Sequence, residues 1–469
     1  MYEVYKYIDA NADRYIDEFR RFLQQPSIST TNVGVRECAD LLKNIMVGCG
    51  VDALMVSSKR PEKSDPSKPV VFGVRQSKTS SKTLLCYGHY DVKPAEPLDQ
   101  WVSPPFSSEI RDGKIYARGA CDDKQLLVSV HAVDAFLKAI GEVPVTMKFI
   151  FEGEEEHGST HLGFWVEEYQ DLIAADAMYG LDGGVDRSTG LPVVSAGRGG
   201  GILYVELRTK CANIDVHPGE AYAVPNAAEK LSRALMTLKD ENDQILIEGW
   251  YNDLVPLSEE EKNYVGSIQI DEEALKSQLG LKSLKAKRSG KELTLARYLP
   301  SCEISGIHSG YTGFGEHTLI PHEAFAKIDF RLKLGQDSDK CYELLKNHLQ
   351  KHGFGDIDII VYSSHFSPDV TSANSKIVQS MAKAAEKTFG VKPIVNKPIP
   401  SRPNPPIEQI NLSRYTRDAI QRLGIPSASS GIGDRNPRIH APNEFMSIED
   451  YIRGIKYAAT IMKEFGLGS

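Results

Sequence analysis

The residues most suggestive of chemistry lie in Phe149-Ile-Phe-Glu-Gly-Glu-Glu-Glu-His-Gly-Ser159. An apolar, β-prone run (Val145, Met147, Phe149, Phe151) leads into four carboxylates, Glu152, Glu154, Glu155 and Glu156, and closes on Gly158. Carboxylates crowded at the end of a buried strand repel one another, and desolvation sharpens the repulsion, so such a site calls for cations or raised pKa values. An acidic run alone is usually a solvated face. Two other segments change the reading. Thr83-Leu-Leu-Cys-Tyr-Gly-His-Tyr-Asp91 is a strand ending in His-x-Asp, and Ala117-Arg-Gly-Ala-Cys-Asp-Asp-Lys124 ends in paired acids ahead of a helix. Imidazole plus several carboxylates is donor chemistry for zinc, manganese or cobalt.

The elements that must position these groups alternate in type. Helices are expected over 3–24, 36–48 and 124–140, the last with Leu126, Leu127, Val130, Val133 and Leu137 as its core stripe. Strands are expected over 51–56, 69–74, 83–88 and 145–151, with an irregular, proline-rich loop over 94–112. This alternation predicts an α/β fold with a largely parallel sheet, whose ligands sit beyond the carboxyl ends of the strands. Near residue 200 the pattern changes. Ala196-Gly-Arg-Gly-Gly-Gly201 is a hinge candidate; it lacks the full dinucleotide-loop spacing and leads into a strand, Ile202–Arg208, rather than a helix. A helix at 226–239, an irregular charged insertion over 240–300, a strand at 324–332, a helix at 338–351 and a strand at 357–362 make a second unit, a small sheet with helices on one face. Alternation resumes with a helix at 374–388, a strand near 392–396, a helix at 410–423, an apolar stretch at 424–432 and a helix at 447–466. The expected organisation is a discontinuous catalytic domain, 1–200 plus 370–469, with an inserted α+β lid and dimerisation domain, 201–369.

Composition narrows the function. The 469 residues carry 55 Lys and Arg against 63 Asp and Glu, a net charge of −8. This argues against a nucleic-acid partner. Seven cysteines are scattered without a CxxC pair, which fits a reducing compartment and buried thiols. The N-terminal residues lack an apolar leader core, and no apolar run reaches the length of about 18 residues needed to span a bilayer. A cytoplasmic protein without membrane contact is expected.

Taken together, His89-x-Asp91, Asp122-Asp123-Lys124, Glu155-Glu156-x-Gly158, Asp182 and His440 resemble, in order and strand-end context, the M20 family of co-catalytic metallopeptidases. The resemblance spans essentially the whole chain. The insertion and Glu152-Gly-x-Glu-Glu-x-Gly-Ser159 look most like the branch that includes carnosine and cysteinylglycine dipeptidases. It implies two divalent metal ions per subunit, zinc first, with manganese or cobalt suiting the same donors. His89 and Asp182 would bind one ion, Glu156 and His440 the other, and Asp122 would bridge them. Glu155 would be the general base towards the attacking water, with Asp91 orienting His89 through its second ring nitrogen. His217, in Asp215-Val-His-Pro-Gly219, would stabilise the oxyanion, reaching a neighbouring subunit's site in a homodimer paired through the inserted domains. Arg331 would grip a substrate carboxylate. A cis peptide between Asp122 and Asp123 is also implied. The substrate would be a dipeptide or short peptide with a free C-terminus; the alternatives are an N-acyl-amino-acid deacylase or desuccinylase of the same mechanism and a catalytically silent homologue.

The chemistry is consistent with these roles. Two metal ions about 3.5–4 Å apart can bind both the attacking water and the carbonyl oxygen, and a nearby carboxylate can then take the proton. On an extended segment adjacent side chains diverge, so one of Glu155 and Glu156 can ligate while the other acts as base. Duller readings exist beside these. Asp123 suits a helix N-cap, Asp182 in Gly180-Leu-Asp-Gly-Gly184 suits a turn, His440 suits a surface loop, and Arg331 suits an exposed strand. His157 and His161, spaced i,i+4 without a third local ligand, read as surface helix residues, and Cys121 as a packing thiol. One departure from the family stands out: Lys397-Pro-Ile-Pro-Ser-Arg-Pro-Asn-Pro-Pro406 replaces the Gly-Ser or Gly-Thr-x-Pro segment that lines the pocket in relatives, which leaves side-chain preference open.

Overall fold

The computed structural model describes residues 1–59, 68–159, 161–187, 189–196, 200–257, 259–267, 270–333, 335–367, 371, 374–396 and 425–467. The proline-rich segment 397–406, the helix expected at 410–423 and residues 197–199 of the hinge candidate lie outside the described residues.

Alternating side chains explain the main layer. Along the strand Thr83–His89, Leu84 and Cys86 point into one apolar cluster while Leu85 and Tyr87 point into another; along Thr146–Glu152, Phe149 and Phe151 take the first face and Ile150 the second. A strand buried on both faces belongs inside a sheet covered on each side. The eight-stranded sheet runs Asp52–Val56, Val70–Arg75, Thr146–Glu152, Thr83–His89, Ala177–Leu181, Ser427–Ser430, Val193–Ala196, Ile394–Asn396. Its four central strands, from Thr146–Glu152 to Ser427–Ser430, are parallel, whereas the strands before them pair antiparallel. The larger cluster joins the sheet to helices Ala12–Gln24, Val35–Gly48, Leu127–Ile140, Lys376–Phe389 and Ile448–Gly466; on the other face Trp165 of helix Leu162–Glu168 is the largest side chain. Because the central strands are parallel, their carboxyl ends share one edge, and the segments leaving His89, Glu152, Leu181 and Ser430 all start there.

Residues 200–367 build a separate four-stranded antiparallel sheet, in the order Ser301–Ser309, Glu323–Leu332, Gly200–Lys210, Asp358–Ser367. Ala324, Ala326, Ile328, Phe330 and Leu332 face helices Ala227–Met236 and Ser338–Lys351 in their own apolar cluster; Arg331 belongs to the alternate, open set. Among the described residues no helix is long and apolar enough to cross a membrane. The seven cysteines are all free thiols, and all but Cys211 are buried.

Three local expectations need correction. The first helix is two, Tyr2–Ala10 and Ala12–Gln24, because Asn11 turns its side-chain amide back onto the Tyr7 carbonyl (2.9 Å) and leaves the helical region. Asn competes in this way with the helix's own backbone bonds. The charged stretch 240–300 is not irregular: it holds helices Glu259–Ser267, Glu272–Leu279 and Gly290–Ala296. Asp271 caps the second of these by accepting from the Ala274 N–H (2.9 Å), and Gly280 closes it at φ +64°, both ordinary helix-end signals. The strand Ser301–Ser309, interrupted by a bulge between Ile304 and Gly306, was not anticipated.

Candidate metal centre

The sheet edge collects the acidic and imidazole groups. His89 ends its strand with the ring fixed at both nitrogens. Nδ1 lies 3.1 Å from the Asp91 carbonyl and 3.5 Å from its carboxylate; Nε2 lies 3.1 Å from Asp122 Oδ1. Asp91 does more than face His89. Its two carboxylate oxygens accept the backbone N–H groups of Glu155 (3.1 Å) and Glu156 (3.0 Å), tying the acidic segment to the neighbouring strand's end. Glu155 and Glu156 sit in a 3₁₀ turn, Glu155–His157, not on an extended segment. Their side chains still diverge, because a 3₁₀ turn has about three residues per turn.

Two groups of three donors form here, His89–Asp122–Asp182 and Asp122–Glu156–His440, with the ligand atoms of each group within 4.8 Å of one another. Asp122 belongs to both. Its Oδ2 is 2.9 Å from His440 Nε2, which is also 3.1 Å from Glu156 Oε1. The Asp122–Asp123 peptide is cis. Asp123 occupies the N-cap of the turn Lys124–Leu126 but does not cap it; its Oδ2 accepts the His89 N–H (3.2 Å). A Cβ at position 88 would sit 2.8 Å from that oxygen, so Gly88 is what lets the strand approach. Asp182 is set by its own N–H donating to the Ser430 carbonyl (3.1 Å) and by Gln125, which donates to the flanking Leu181 and Gly183 carbonyls.

Electrostatics mark the same place. Burial, then the neighbouring carboxylates Asp123 and Asp122, push Asp182 well above the usual carboxylate range. Burial does the same to Glu155, opposed by the charge of His89 and reinforced by Glu156 and Asp122. Burial alone would lower His89, but its hydrogen bonds to Asp122 and Asp91 override this and raise it. Burial works against ionised Asp122 as well, yet the hydrogen bonds from His440 and His89 hold it below its ordinary value. Asp182 Oδ1 is buried without a hydrogen-bond partner. Crowded buried carboxylates beside two imidazoles, with the Asp182 oxygen unpartnered, are what divalent cations satisfy, so the donor set fits metal ions.

Several supporting residues carried no signal in the sequence. Glu444, fully buried, accepts the N–H groups of Gly119 (3.0 Å), Cys121 (2.9 Å) and Asp122 (3.2 Å) and pairs with Arg118 (2.8 Å). It holds the Asp122 turn from a point 322 residues away. Lys93 donates to the Glu156 carbonyl (2.7 Å) and lies 3.0 Å from its carboxylate. His161 is a correction. It is not a surface residue but 1% exposed, with Nδ1 3.0 Å from Glu154 Oε2, while His157 is exposed. Cys121 is buried. His217 and Arg331 belong to neither donor group. Both are exposed and lie in the part of the chain that forms the four-stranded sheet, and Arg331 Nη2 is 2.8 Å from Asp329.

Comparison with known proteins bears on this centre. The sequence profile of peptidase family M20/M25/M40 matches residues 85–464, which include all five donors. The chain belongs to that family. It is an M20 metallopeptidase, and the three relatives that follow align over nearly their whole length. An M20 family metallo-carboxypeptidase from Sulfolobus solfataricus is 35% identical, with a TM-score of 0.82 over 96% of this chain and 99% of that one. A dipeptidase from Saccharomyces cerevisiae superposes with a TM-score of 0.86 at 25% identity, covering 99% and 98% of the two chains. The Beta-Ala-His dipeptidase of Rattus norvegicus is 26% identical over 98% of this chain and 95% of its own.

Proposed function

We propose that this M20 peptidase hydrolyses the amide bond of dipeptides or short peptides bearing a free C-terminal carboxylate, with two divalent metal ions per subunit. The observation that carries the reading is Asp122, shared by two three-donor groups at the carboxyl edge of a parallel sheet. His89 and Asp182 would hold one ion, Glu156 and His440 the other, and Asp122 both. The pair, when bound, supplies Lewis-acid activation of the water and the scissile carbonyl. The chain's own residues do the rest. Glu155, in neither donor group and with its backbone anchored by Asp91, takes a proton from the attacking water and passes it to the leaving amine. Arg331, on the open face of the small sheet, grips the substrate's carboxylate as a planar fork.

His217 would donate to the carbonyl oxygen as it gains charge. Its Nδ1 accepts the Gly219 N–H (3.1 Å), which leaves Nε2 carrying the proton in the neutral ring. It would do so from a second subunit, in a homodimer paired through the inserted domain, 201–369, against a catalytic domain of 1–200 and 370–469. Supporting this, His217 lies outside the donor groups on a segment where Ile214 (69% exposed) and Tyr222 (85%) are presented to solvent. Relatives named for Beta-Ala-His and Cys-Gly dipeptides point to small substrates of that kind, and a cytoplasmic setting is proposed on the seven free thiols.

The test is a panel of dipeptides, tripeptides, N-acetyl and N-succinyl amino acids, assayed on chelated enzyme restored with zinc, manganese or cobalt. Hydrolysis of peptides above the acylated amino acids is expected. Preference for the acylated series would overturn the peptidase assignment, and no hydrolysis with any metal would overturn the catalytic one.

A further inference from the structure

Away from the sheet edge, a third group of metal-compatible donors lies among the helices on the sheet's larger apolar face. Glu18 comes from helix Ala12–Gln24, Cys49 from the residue ending helix Val35–Gly48, and His131 from helix Leu127–Ile140. Their ligand atoms lie within 4.8 Å of one another. His131 Nε2 is 3.0 Å from Glu18 Oε2, and Cys49 Sγ is 3.9 Å from the same oxygen. We propose that Glu18, Cys49 and His131 form a structural site for a zinc-like divalent cation, distinct from the two donor groups around Asp122.

Geometry is the first support. Zinc takes thiolate sulfur at about 2.3 Å, imidazole nitrogen at about 2.0–2.1 Å and carboxylate oxygen at about 2.0–2.2 Å, so donors around a tetrahedral ion lie roughly 3.3–3.7 Å apart. The separations from Glu18 Oε2, 3.0 Å to His131 and 3.9 Å to Cys49, bracket that range. The outer contact is the second support. His131 Nδ1 faces the Tyr451 hydroxyl at 3.2 Å, so Nδ1–H can donate to that oxygen while Nε2 ligates. Such a partner fixes tautomer and ring orientation in metal-bound histidines. Tyr15 adds a wall, with its ring 4.6 Å from that of His131.

Charge balance is the third. Burial works to raise Glu18's pKa, but the hydrogen bond with His131 overrides it and keeps the carboxyl ionised. Burial and the Glu18 charge raise the Cys49 thiol. A divalent ion would displace the thiol proton to solvent, forming a metal–sulfur bond as the S–H bond breaks, without any change in redox state. One carboxylate and one thiolate then cancel the two positive charges, while Arg21, 3.7 Å from the other Glu18 oxygen, stays on the solvent side with its side chain 60% exposed. The nearby Arg14–Asp134 pair is already neutral by itself. His131 is buried but the Glu18 side chain is 22% exposed, so the open side offers an approach for the ion and room for a water as fourth ligand. The ion would tie the second and third helices to the helix that follows the Asp122 turn. Glu18, Cys49 and His131 are outside the machinery assigned above, so the site is independent of the peptidase reading.

Cobalt reports on it directly. The donors around Asp122 are oxygen and nitrogen only, so thiolate-to-cobalt charge-transfer absorption in the near ultraviolet would come from the third site. Chelated full-length protein is restored with excess cobalt(II), freed of unbound ion, and examined by absorption and elemental analysis. The expected result is the charge-transfer band in the wild type and one cobalt ion more per chain than in Cys49→Ser. That variant should lack the band and keep peptidase activity. Glu18→Gln, at the exposed side, should retain the thiolate but need more cobalt to saturate the band; it carries the test should Cys49→Ser fail to fold. Absence of the band at saturating cobalt, its persistence in Cys49→Ser, or unchanged saturation in Glu18→Gln would overturn the proposal and leave the trio as an ion pair packed beside a thiol.

Discussion

Replacing Glu155 by glutamine separates the two roles in the acidic turn. The change keeps shape and volume, and the backbone N–H of residue 155 remains bonded to Asp91. Glu155 belongs to neither donor group, so both ions should stay. What is lost is the proton acceptor beside the water. General acid–base assistance contributes about 10²–10⁴ in rate, or about 2.7–5.4 kcal/mol of barrier at about 1.36 kcal/mol per tenfold. Turnover of a good dipeptide should therefore fall by about that factor, with KM little changed. Glu156→Gln takes away a donor instead, along with the carboxylate charge 3.0 Å from the Lys93 ammonium. One ion should be depleted, and added metal should restore part of the activity. The assay pairs initial rates with elemental analysis on the same dialysed samples. If Glu155→Gln proves metal-depleted while Glu156→Gln stays replete, the roles are reversed.

Other outcomes follow from the same geometry. Arg331→Lys should weaken kcat/KM for peptides with a free C-terminus and spare their amidated counterparts, because an ammonium cannot reproduce the bidentate fork; equal losses would make Arg331 structural. His217→Ala should lose about 2.7–4 kcal/mol of transition-state stabilisation with metal content intact. Mixing it with Glu155→Gln and verifying subunit exchange should restore activity, since one site then combines an intact Glu155 with the partner's intact imidazole; an inactive mixture would remove the trans assignment. Burial, first of all, raises the Glu152 pKa to about 8, opposed by the Tyr87 hydrogen bond and reinforced by Glu154 and Asp91. A folded-state pKa above the unfolded value stabilises the neutral acid, so this contribution is full below about pH 4.5 and disappears as pH rises through about 8. In metal-free protein the stability of wild type relative to Glu152→Gln should fall across that window by at most about 1.4 kcal/mol per pH unit; a flat difference in urea unfolding would refute it.

Much of this protein is legible in one sequence because its signals are local. Strand-end His89, the paired acids at Asp122 and the run Glu152–Glu156 each follow or precede an element whose periodicity is plain, and a parallel sheet must put such ends on one edge. The family resemblance visible in the sequence rests on those same short segments. Where expectation failed, a local signal was outweighed: charge hid the caps at Asp271 and Gly280, and Asn11 broke a continuous apolar stripe. Other features have no local signal to read. Glu444 and the Asp122 turn meet across 322 residues, Lys93 and Glu156 across 63, and Glu18, Cys49 and His131 come from three helices. A buried carboxylate finds its donors only when folding removes the water that would otherwise solvate it. Sequence by itself determined which groups could do chemistry and the edge they would reach; tertiary packing decided which are shared, which are held and which are left without a partner.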